Sequence, residues 1–210
     1  MSTETSMRRV PRQQRSQKRV EVILRAAAEL VTEMGYEAMT TSAIAERAGT
    51  SIGSLYQFFP NKDSVLYALA QRYTEEMRSM TSRVFSPDVE YVPTPVLIDR
   101  TVNALVDFEY THPGFNLIFN SAWISQELKF ASDGITDAMI EDFDRVIALK
   151  SPTLADEHRR VCAETMMGMI KGLLPLTLTD DLPYRGQVIH EFKRALQAYL
   201  TALIPLDGPA

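Results

Sequence analysis

The hydrophobic residues of this chain recur at steps of three and four positions in successive stretches, which is the spacing of one face of an α-helix. The first stretch extends from about Gln14 to Met34 and is ended by Gly35. A longer one begins at Asn61, after Pro60, and continues to about Ser86. The pattern calls for no strand, so the sequence predicts an all-α protein.

Residues 41–59 lie between these two helices and predict two short helices that meet at a tight turn. Gly49 can adopt the left-handed backbone conformation that ends the first of them. The residues expected to face the core are Ile44, Ala45, Ala48, Leu55 and Phe58. This pattern is typical of a helix-turn-helix motif, whose second helix reads bases in the DNA major groove.

The outward positions of the second short helix form a compact, polar and uncharged face. They are Gly53, Ser54, Tyr56 and Gln57. Such a face can enter a major groove, where glutamine is able to form two hydrogen bonds with adenine. Ile52 either contacts a thymine methyl group or packs inward. Thr40 and Thr41 offer hydroxyls that cap the first short helix, and a capping threonine can also bond a DNA phosphate.

The rest of the chain predicts five more helices, with approximate limits 96–110, 115–128, 135–150, 153–174 and 184–203. Proline and glycine punctuate the connections. The Asp-Gly pair at residues 133–134 is expected to interrupt one helical pattern. Thr153, followed three residues later by Asp156, is expected to cap the next helix.

Charge is distributed unevenly along the 210 residues, whose net charge is −5. Residues 1–72 carry 10 Lys and Arg against 7 Asp and Glu, whereas residues 73–210 carry 12 against 20. The cations that precede residue 20 are Arg8, Arg9, Arg12, Arg15, Lys18 and Arg19. They suit an arm that follows a phosphate backbone, but a solvated basic tail has the same composition.

Catalytic and metal-binding motifs are missing from the sequence. It contains no glycine-rich phosphate loop, no G-x-S-x-G elbow and no H-E-x-x-H pair, and its three histidines are far apart. We therefore expect neither an enzyme nor a metal or cofactor site. The lone Cys162 suits a buried apolar position, although a redox role stays open. With no signal segment and no run of about 18 apolar residues, a cytoplasmic protein without membrane contact is expected.

From Arg15 to about Met77 the sequence resembles the DNA-binding region of the TetR family of bacterial transcription regulators. Two runs carry the resemblance, RVEVILRAAAELVTEMGYEAMTTSAIAERAG and TSIGSLYQFFPNKDSVL. The core G-S-L-Y-x-F-F-x-x-K of the second run is similar to the family's G-T-L-Y-x-H/Y-F-x-x-K. Thr50, Ser54 and Phe58 differ from the residues that are commonest in the family.

The resemblance implies a basic arm at 1–14, a DNA-binding domain at 15–78 containing the helix-turn-helix 41–59, and a ligand-binding and dimerisation domain at 79–210, with the long helix between them as a lever. It implies phosphate contacts by Thr41, Ser51, Tyr56 and Lys62, assisted by Arg12 and Arg15. The candidates for base contacts are Ser42, Ile52, Gly53, Ser54 and Gln57.

The resemblance also implies a cavity for a small apolar or aromatic ligand among the C-terminal helices. Its candidate lining residues are Met77, Tyr110, Phe115, Phe119, Trp123, Met139, Met166 and Met169, although methionines at helical spacing equally suit an ordinary core. The last two helices are expected to form a homodimer. The predicted function is a repressor that the ligand releases from a palindromic operator in double-stranded DNA. The alternatives are a dimeric DNA-binding scaffold without ligand control and, less favoured, a helical enzyme.

Overall fold

The computed structural model describes the backbone of residues 10–120 and 126–203, and the side chains from residue 15 onward within those ranges except residues 127 and 131. Within these residues the regular structure is entirely helical, which confirms the predicted all-α class. The helices are α1 (Val10–Ala38), α2 (Thr41–Arg47), α3 (Ile52–Tyr56), α4 (Lys62–Val84), α5 (Thr94–Thr111), α6 (Phe115–Phe119), α7 (Gln126–Lys150), α8 (Asp156–Leu173) and α9 (Leu182–Leu203). Short 3-10 turns occupy Val89–Tyr91 and Leu174–Thr177.

The chain packs as two compact units, Met1–Leu69 and Ala70–Ala210, and the boundary between them falls within α4. The limits 15–78 and 79–210 that the sequence suggests place the boundary later in the same helix. We refer below to the N-terminal unit and the C-terminal unit and describe each by itself.

The N-terminal unit buries the apolar faces of α1 to α3 and of the first turns of α4. Helix α1 has a break at Gly35, where φ is 75° and ψ is 173°, and short helical geometry resumes to Ala38. The prediction that Leu55 faces the core is confirmed, but the same prediction for Phe58 is wrong. Because α3 ends at Tyr56, the helical spacing does not continue, and Phe59 takes the buried position instead.

The C-terminal unit is built around large buried side chains from α4 to α9. Phe115, Ile118, Phe119 and Phe192 are among those that are fully enclosed. Burial of such side chains contributes roughly 1.5–3 kcal/mol each and is the main source of stability for helices of this kind. On α9 the buried residues Phe192, Leu196 and Leu200 recur at steps of four, which places them on one face of the helix.

Three sequence predictions for helix limits in this unit are wrong. The helix predicted over 115–128 is not one helix, because α6 ends at Phe119 and Gln126 already belongs to α7. Helix α7 continues through residues 133–134. Glycine at position 134 costs about 1 kcal/mol of helix stability relative to alanine. Burial of Ile135 and, one turn later, of Met139 outweighs this cost. Thr153 does not cap α8, which begins at Asp156 without a side-chain cap. Its first turn instead carries Asp156 and Glu157, whose charges favour the positive end of the helix dipole.

Candidate nucleic-acid interface

The turn between α2 and α3 has the geometry that the sequence predicts. Thr40, not Thr41, caps α2, since its hydroxyl oxygen accepts a hydrogen bond from the Ala43 amide at 3.1 Å. After α2, Gly49 adopts the left-handed conformation with φ 61°. A side chain at that φ would be strained, so glycine sets the direction in which the chain leaves α2.

Helix α3 is short and is capped by its own sequence. The Ser51 hydroxyl oxygen accepts a hydrogen bond from the Ser54 amide at 3.2 Å, which leaves the hydroxyl proton of Ser51 available to an external acceptor. Ile52 is 39% exposed and Tyr56 is 52% exposed, while Leu55 is fully buried. Ile52 therefore does not pack inward, and its contact with a thymine methyl group stays a prediction.

Two side-chain contacts tie α3 to its neighbours. The Arg19 guanidinium of α1 donates to the Ser54 hydroxyl at 3.1 Å, and the hydroxyls of Thr41 and Tyr56 lie 3.2 Å apart. Arg19 therefore brings a cation to a face that has none of its own. The sequence placed Arg19 only in the basic arm, although its spacing of four from Arg15 puts both on one side of α1.

Lys62 holds the start of α4 against the end of α1. Its ammonium group donates to the Tyr36 carbonyl at 2.8 Å, has a longer contact of 3.5 Å to the Glu37 carbonyl, and lies 4.0 Å from the centre of the Tyr36 ring. The Tyr36 hydroxyl in turn donates to Asp63 at 2.6 Å. Since two of its three N–H groups are directed at carbonyls, Lys62 has at most one left for a phosphate.

Arg47 at the end of α2 also has its side chain bound within the protein. It forms two hydrogen bonds with the Glu33 carboxylate, at 2.8 and 2.7 Å, and a longer contact of 3.4 Å with Glu29. These bonds hold the pKa of Glu33 below its ordinary value. Arg47 therefore fixes α2 on α1 through contacts within the protein.

Several of the candidate DNA-contacting residues lie close together on α2 and α3 or are exposed there. Thr41 and Tyr56 touch each other, Ser51 and Ser54 lie on the first turn of α3, and Gly53 and Gln57 are exposed, as is Ser42 on α2. Arg15 is exposed on α1, whereas the side chain of Arg12 lies outside the described residues. Together they form a small, exposed and mostly polar surface around α3.

The candidate ligand-binding residues are distributed between core and surface. Met77, Phe115, Phe119, Met139 and Met166 are buried, Met169 is half-buried, and Trp123 lies outside the described residues. Tyr110 is exposed, and its hydroxyl donates to the Thr177 carbonyl at 2.6 Å while Arg185 lies over its ring. Met166 lines an apolar space of about 20 Å³ between α5, α7, α8 and α9, which is room for no more than about one water molecule.

Glu109 is a buried acid that sequence inspection missed. It is 5% exposed, and within the described structure neither of its carboxyl oxygens has a hydrogen-bond partner. Burial raises its pKa to about 7. The nearby Thr177 hydroxyl lowers that pKa in part, but it donates to the Leu174 carbonyl at 2.7 Å. In the sequence, Glu109 falls at the helical spacing of the apolar residues of α5, and this position could have predicted its burial.

Potential metal ligands and apolar helices are two further features of the described part of the chain. No three or more His, Cys, Asp or Glu side chains there are grouped in a way that would hold a metal ion. None of its helices combines the length and the apolar character needed to cross a membrane.

The chain is similar to known regulators along most of its length. A family profile described as "Bacterial regulatory proteins, tetR family" matches residues 23–69, and one described as "Tetracyclin repressor-like, C-terminal domain" matches residues 93–200. The HTH-type transcriptional activator FasR of Mycolicibacterium smegmatis is 28% identical over 150 residues, which are 69% of this chain and 67% of FasR. Nucleoid occlusion factor SlmA of Vibrio cholerae is 24% identical over 177 residues, which are 79% of this chain and 87% of SlmA.

Solved structures agree with this assignment. A TetR-family transcriptional regulator from Streptomyces coelicolor has 26% sequence identity and a TM-score of 0.66, and the match covers 89% of this chain and 99% of that one. The resemblance that the sequence suggests is thereby confirmed, as is an N-terminal helix-turn-helix followed by a C-terminal helical domain. The chain belongs to the TetR family of DNA-binding bacterial transcription regulators.

Proposed function

We propose that the protein is a homodimeric repressor that leaves a palindromic operator when a small molecule with apolar character binds its C-terminal unit. The observation that carries this proposal is the exposed, uncharged face of α3, which has no side chain at Gly53. A helix with such a face can approach base edges closely without burying an unpaired charge.

Phosphate contacts are assigned to the rim of this face. Arg15 and Lys18 are exposed cations on α1, and the hydroxyls of Thr41 and Ser51 lie beside α3. Contacts of this kind fix the register of a protein on DNA and account for most of its salt dependence. Lys62 serves chiefly to hold α1 and α4 together, because its ammonium group already contacts two backbone carbonyls.

Base reading is assigned to Gln57 and Ile52. The Gln57 amide is exposed at the end of α3 and suits a pair of hydrogen bonds with adenine. The exposed Ile52 suits contact with a thymine methyl group. Ser54 already accepts a hydrogen bond from Arg19. We therefore assign these two side chains to DNA contact as one unit.

Dimerisation is assigned to the last two helices. Val161 on α8 is 53% exposed and Leu182 on α9 is 66% exposed. Other large apolar side chains that are exposed nearby in sequence are Leu176, Leu178 and Tyr184. Exposed apolar residues in this number favour an interface, and two copies of a helix pair would form a four-helix bundle across a two-fold axis.

Ligand control follows from a difference in affinity. Operator binding requires two reading helices about 34–36 Å apart. A ligand that binds a conformer with another spacing more tightly shifts the population away from DNA. Helix α4 is continuous across the boundary between the two units, and we assign it the part of a lever.

Selection of bound sequences from random duplex DNA, at one fixed salt concentration, tests this proposal. We expect enrichment of an inverted repeat whose half-sites are about one helical turn apart. A selection that enriches no inverted repeat would overturn the dimeric-repressor proposal. A promoter fusion carrying the enriched site then distinguishes repression from activation, since FasR is named an activator.

A second candidate function is a DNA-binding dimer without small-molecule control. It is favoured by the similarity to SlmA, a nucleoid occlusion factor, over most of this chain. Thermal unfolding in the presence of a metabolite library separates the two candidates, because a ligand that binds only the folded state raises its apparent stability. A library in which no compound raises the unfolding temperature favours this second function.

A further inference from the structure

An open groove of about 710 Å³ lies in the C-terminal unit between the second half of α4 and α5. From α4 it is lined by Glu76, Ser79, Met80, Arg83 and Val84, and from the chain at α5 by Arg100, Ala104, Asp107, Phe108, Thr111 and His112. It contains none of the residues that the sequence analysis proposed for ligand binding. Its volume is within the range of small-molecule sites.

One end of the groove is cationic. Arg83 lies near the end of α4 and Arg100 near the start of α5, and both are exposed. Neither forms an ion pair or a hydrogen bond with a described residue. The charge of Arg100 contributes to lowering the pKa of Asp88, but the hydrogen bond from Ser86 is the larger cause. The two guanidinium groups are therefore available to an external anion.

At the opposite end of the groove the Glu76 carboxylate is in contact with His112. His112 Nε2 lies 2.6 Å from a Glu76 carboxylate oxygen. The imidazole of His112 stacks on the Phe108 ring, with the two ring centres 3.6 Å apart. The other ring nitrogen, Nδ1, lies 2.7 Å from the Phe108 carbonyl. Burial raises the pKa of Glu76, but hydrogen bonds from Arg72 and His112 outweigh it and hold the pKa below its ordinary value. The Glu76 charge is thereby compensated within the protein.

The floor between the two ends is apolar. Met80 and Phe108 are buried, and Val84 and Ala104 are half-buried. Seven residues of α4 separate Arg83 from Glu76, which corresponds to about 10 Å along the helix. Asp107 is the remaining acidic residue of the lining and lies seven positions, about 10 Å along the helix, from Arg100. This spacing is about one Debye length at 0.1 M salt, so salt reduces its repulsion of an anion near Arg100.

We propose that this groove binds an organic anion with a short apolar chain, its carboxylate or phosphate between Arg83 and Arg100 and its chain over Phe108. Guanidinium groups match both kinds of head group, since their planar forks donate paired hydrogen bonds to carboxylates and phosphates. We assign this anion as the ligand that controls DNA binding, and this second assignment rests on the proposed function.

Calorimetric titration of the full chain with four probes tests the site directly. The probes share one alkyl chain and differ in head group: octanoate, octyl phosphate, octylammonium and octanol. For fragments of this size we expect the two anions to bind with a dissociation constant on the order of 0.1–1 mM. Octylammonium and octanol should bind at least about tenfold more weakly, and comparison of the two anions identifies the preferred head group.

Charge variants locate the binding. Arg83→Gln and Arg100→Gln should each weaken octanoate binding about fivefold or more, because each removes a charge-assisted contact. Arg78→Gln is the matched control, since it removes one exposed cation from the same helix outside the groove, and its affinity should equal that of the wild type. Asp107→Asn should bind octanoate at least as tightly as the wild type. Unchanged thermal unfolding shows that each variant is folded.

Filling the groove gives an independent test. Ala104→Phe adds a large side chain to a half-buried position of the wall and should abolish binding of both anions. Equal affinity for octanoate and octylammonium, or wild-type affinity in Arg83→Gln and Ala104→Phe, would overturn the site. Binding that follows the expected pattern but leaves affinity for the selected DNA unchanged would keep the site and overturn its assignment as the controlling ligand. Failure to enrich an inverted repeat removes the proposed function without touching the calorimetric result.

Discussion

The two candidate sites of this protein differ in how some of their charged side chains are held. In the N-terminal unit Arg47 is paired with Glu33, and the Lys62 ammonium group donates to the Tyr36 carbonyl. In the C-terminal unit Arg83 and Arg100 have no such partner among the described residues, and Glu109 is buried without one.

This difference suits the two kinds of binding that we propose. A reading face must present the same geometry to every base pair that it tests, so the polar contacts around α3 are satisfied internally and hold it in place. A unit that responds to a ligand needs groups whose free energy changes when the ligand binds. Unpaired cations in an open groove and a buried acid are groups of that kind.

The largest effect is expected from the core of the reading helix. Leu55→Ala should lower the free energy of unfolding of the N-terminal unit by about 3 kcal/mol, because it leaves a cavity under α3. Hydrogen exchange should show lost protection in α2 and α3. Ile52→Ala, in the same helix but exposed, should change stability by less than about 0.5 kcal/mol. Equal losses in both variants would show that α3 is not anchored by Leu55.

The buried acid of the C-terminal unit should make stability depend on pH. The pKa of Glu109 is raised in the folded state from 4.5 to about 7, so the folded protein holds this proton more tightly than the unfolded chain. The contribution to stability is therefore present below pH 4.5 and is lost as the pH rises to about 7.

Glu109→Gln should consequently be more stable than the wild type by about 2 kcal/mol at pH 8, and the gain should vanish near pH 4.5. Urea unfolding at the two pH values measures it. Glu141→Gln is the control, because Glu141 is exposed on α7 and should give no difference that depends on pH. A gain of equal size at both pH values would contradict the assignment to ionisation of Glu109.

The proposed reading of bases is sharpened by Gln57→Ala. Loss of a pair of hydrogen bonds should cost about 1–3 kcal/mol of discrimination at one base position in each half-site, with stability unchanged. Binding to a set of single-base operator variants measures it. Gln71→Ala on α4, also an exposed glutamine, should leave the preference as it is. A uniform loss across all operator variants would argue against base reading by Gln57.

The smallest effect separates two roles for Lys62. If the main role of Lys62 is to bind the carbonyls at the end of α1, Lys62→Ala should reduce the free energy of unfolding by about 1 kcal/mol. The variant should then bind DNA more weakly, with the salt dependence of DNA binding unchanged. Lys18→Ala on α1 should instead lower the slope of log K against log salt by about one. A lower slope in Lys62→Ala would restore a phosphate contact as its main role.

Much of the fold was determined by local sequence. The helical spacing predicts the all-α class, and Gly49 marks the turn between α2 and α3 because few other residues tolerate its conformation. The G-S-L-Y-x-F-F-x-x-K core identifies the family. These features depend on residues that are neighbours in the chain, and their physical causes act over one or two helical turns.

The tertiary structure decided what distant residues do together. Burial of Ile135 and Met139 keeps α7 intact where Asp-Gly predicts a break, and the turn after Tyr56 buries Phe59 instead of Phe58. The contact of Lys62 with Tyr36 joins residues far apart in the sequence. The groove exists only because residues of α4 and of α5 line the same space, and no periodicity within either helix encodes that arrangement.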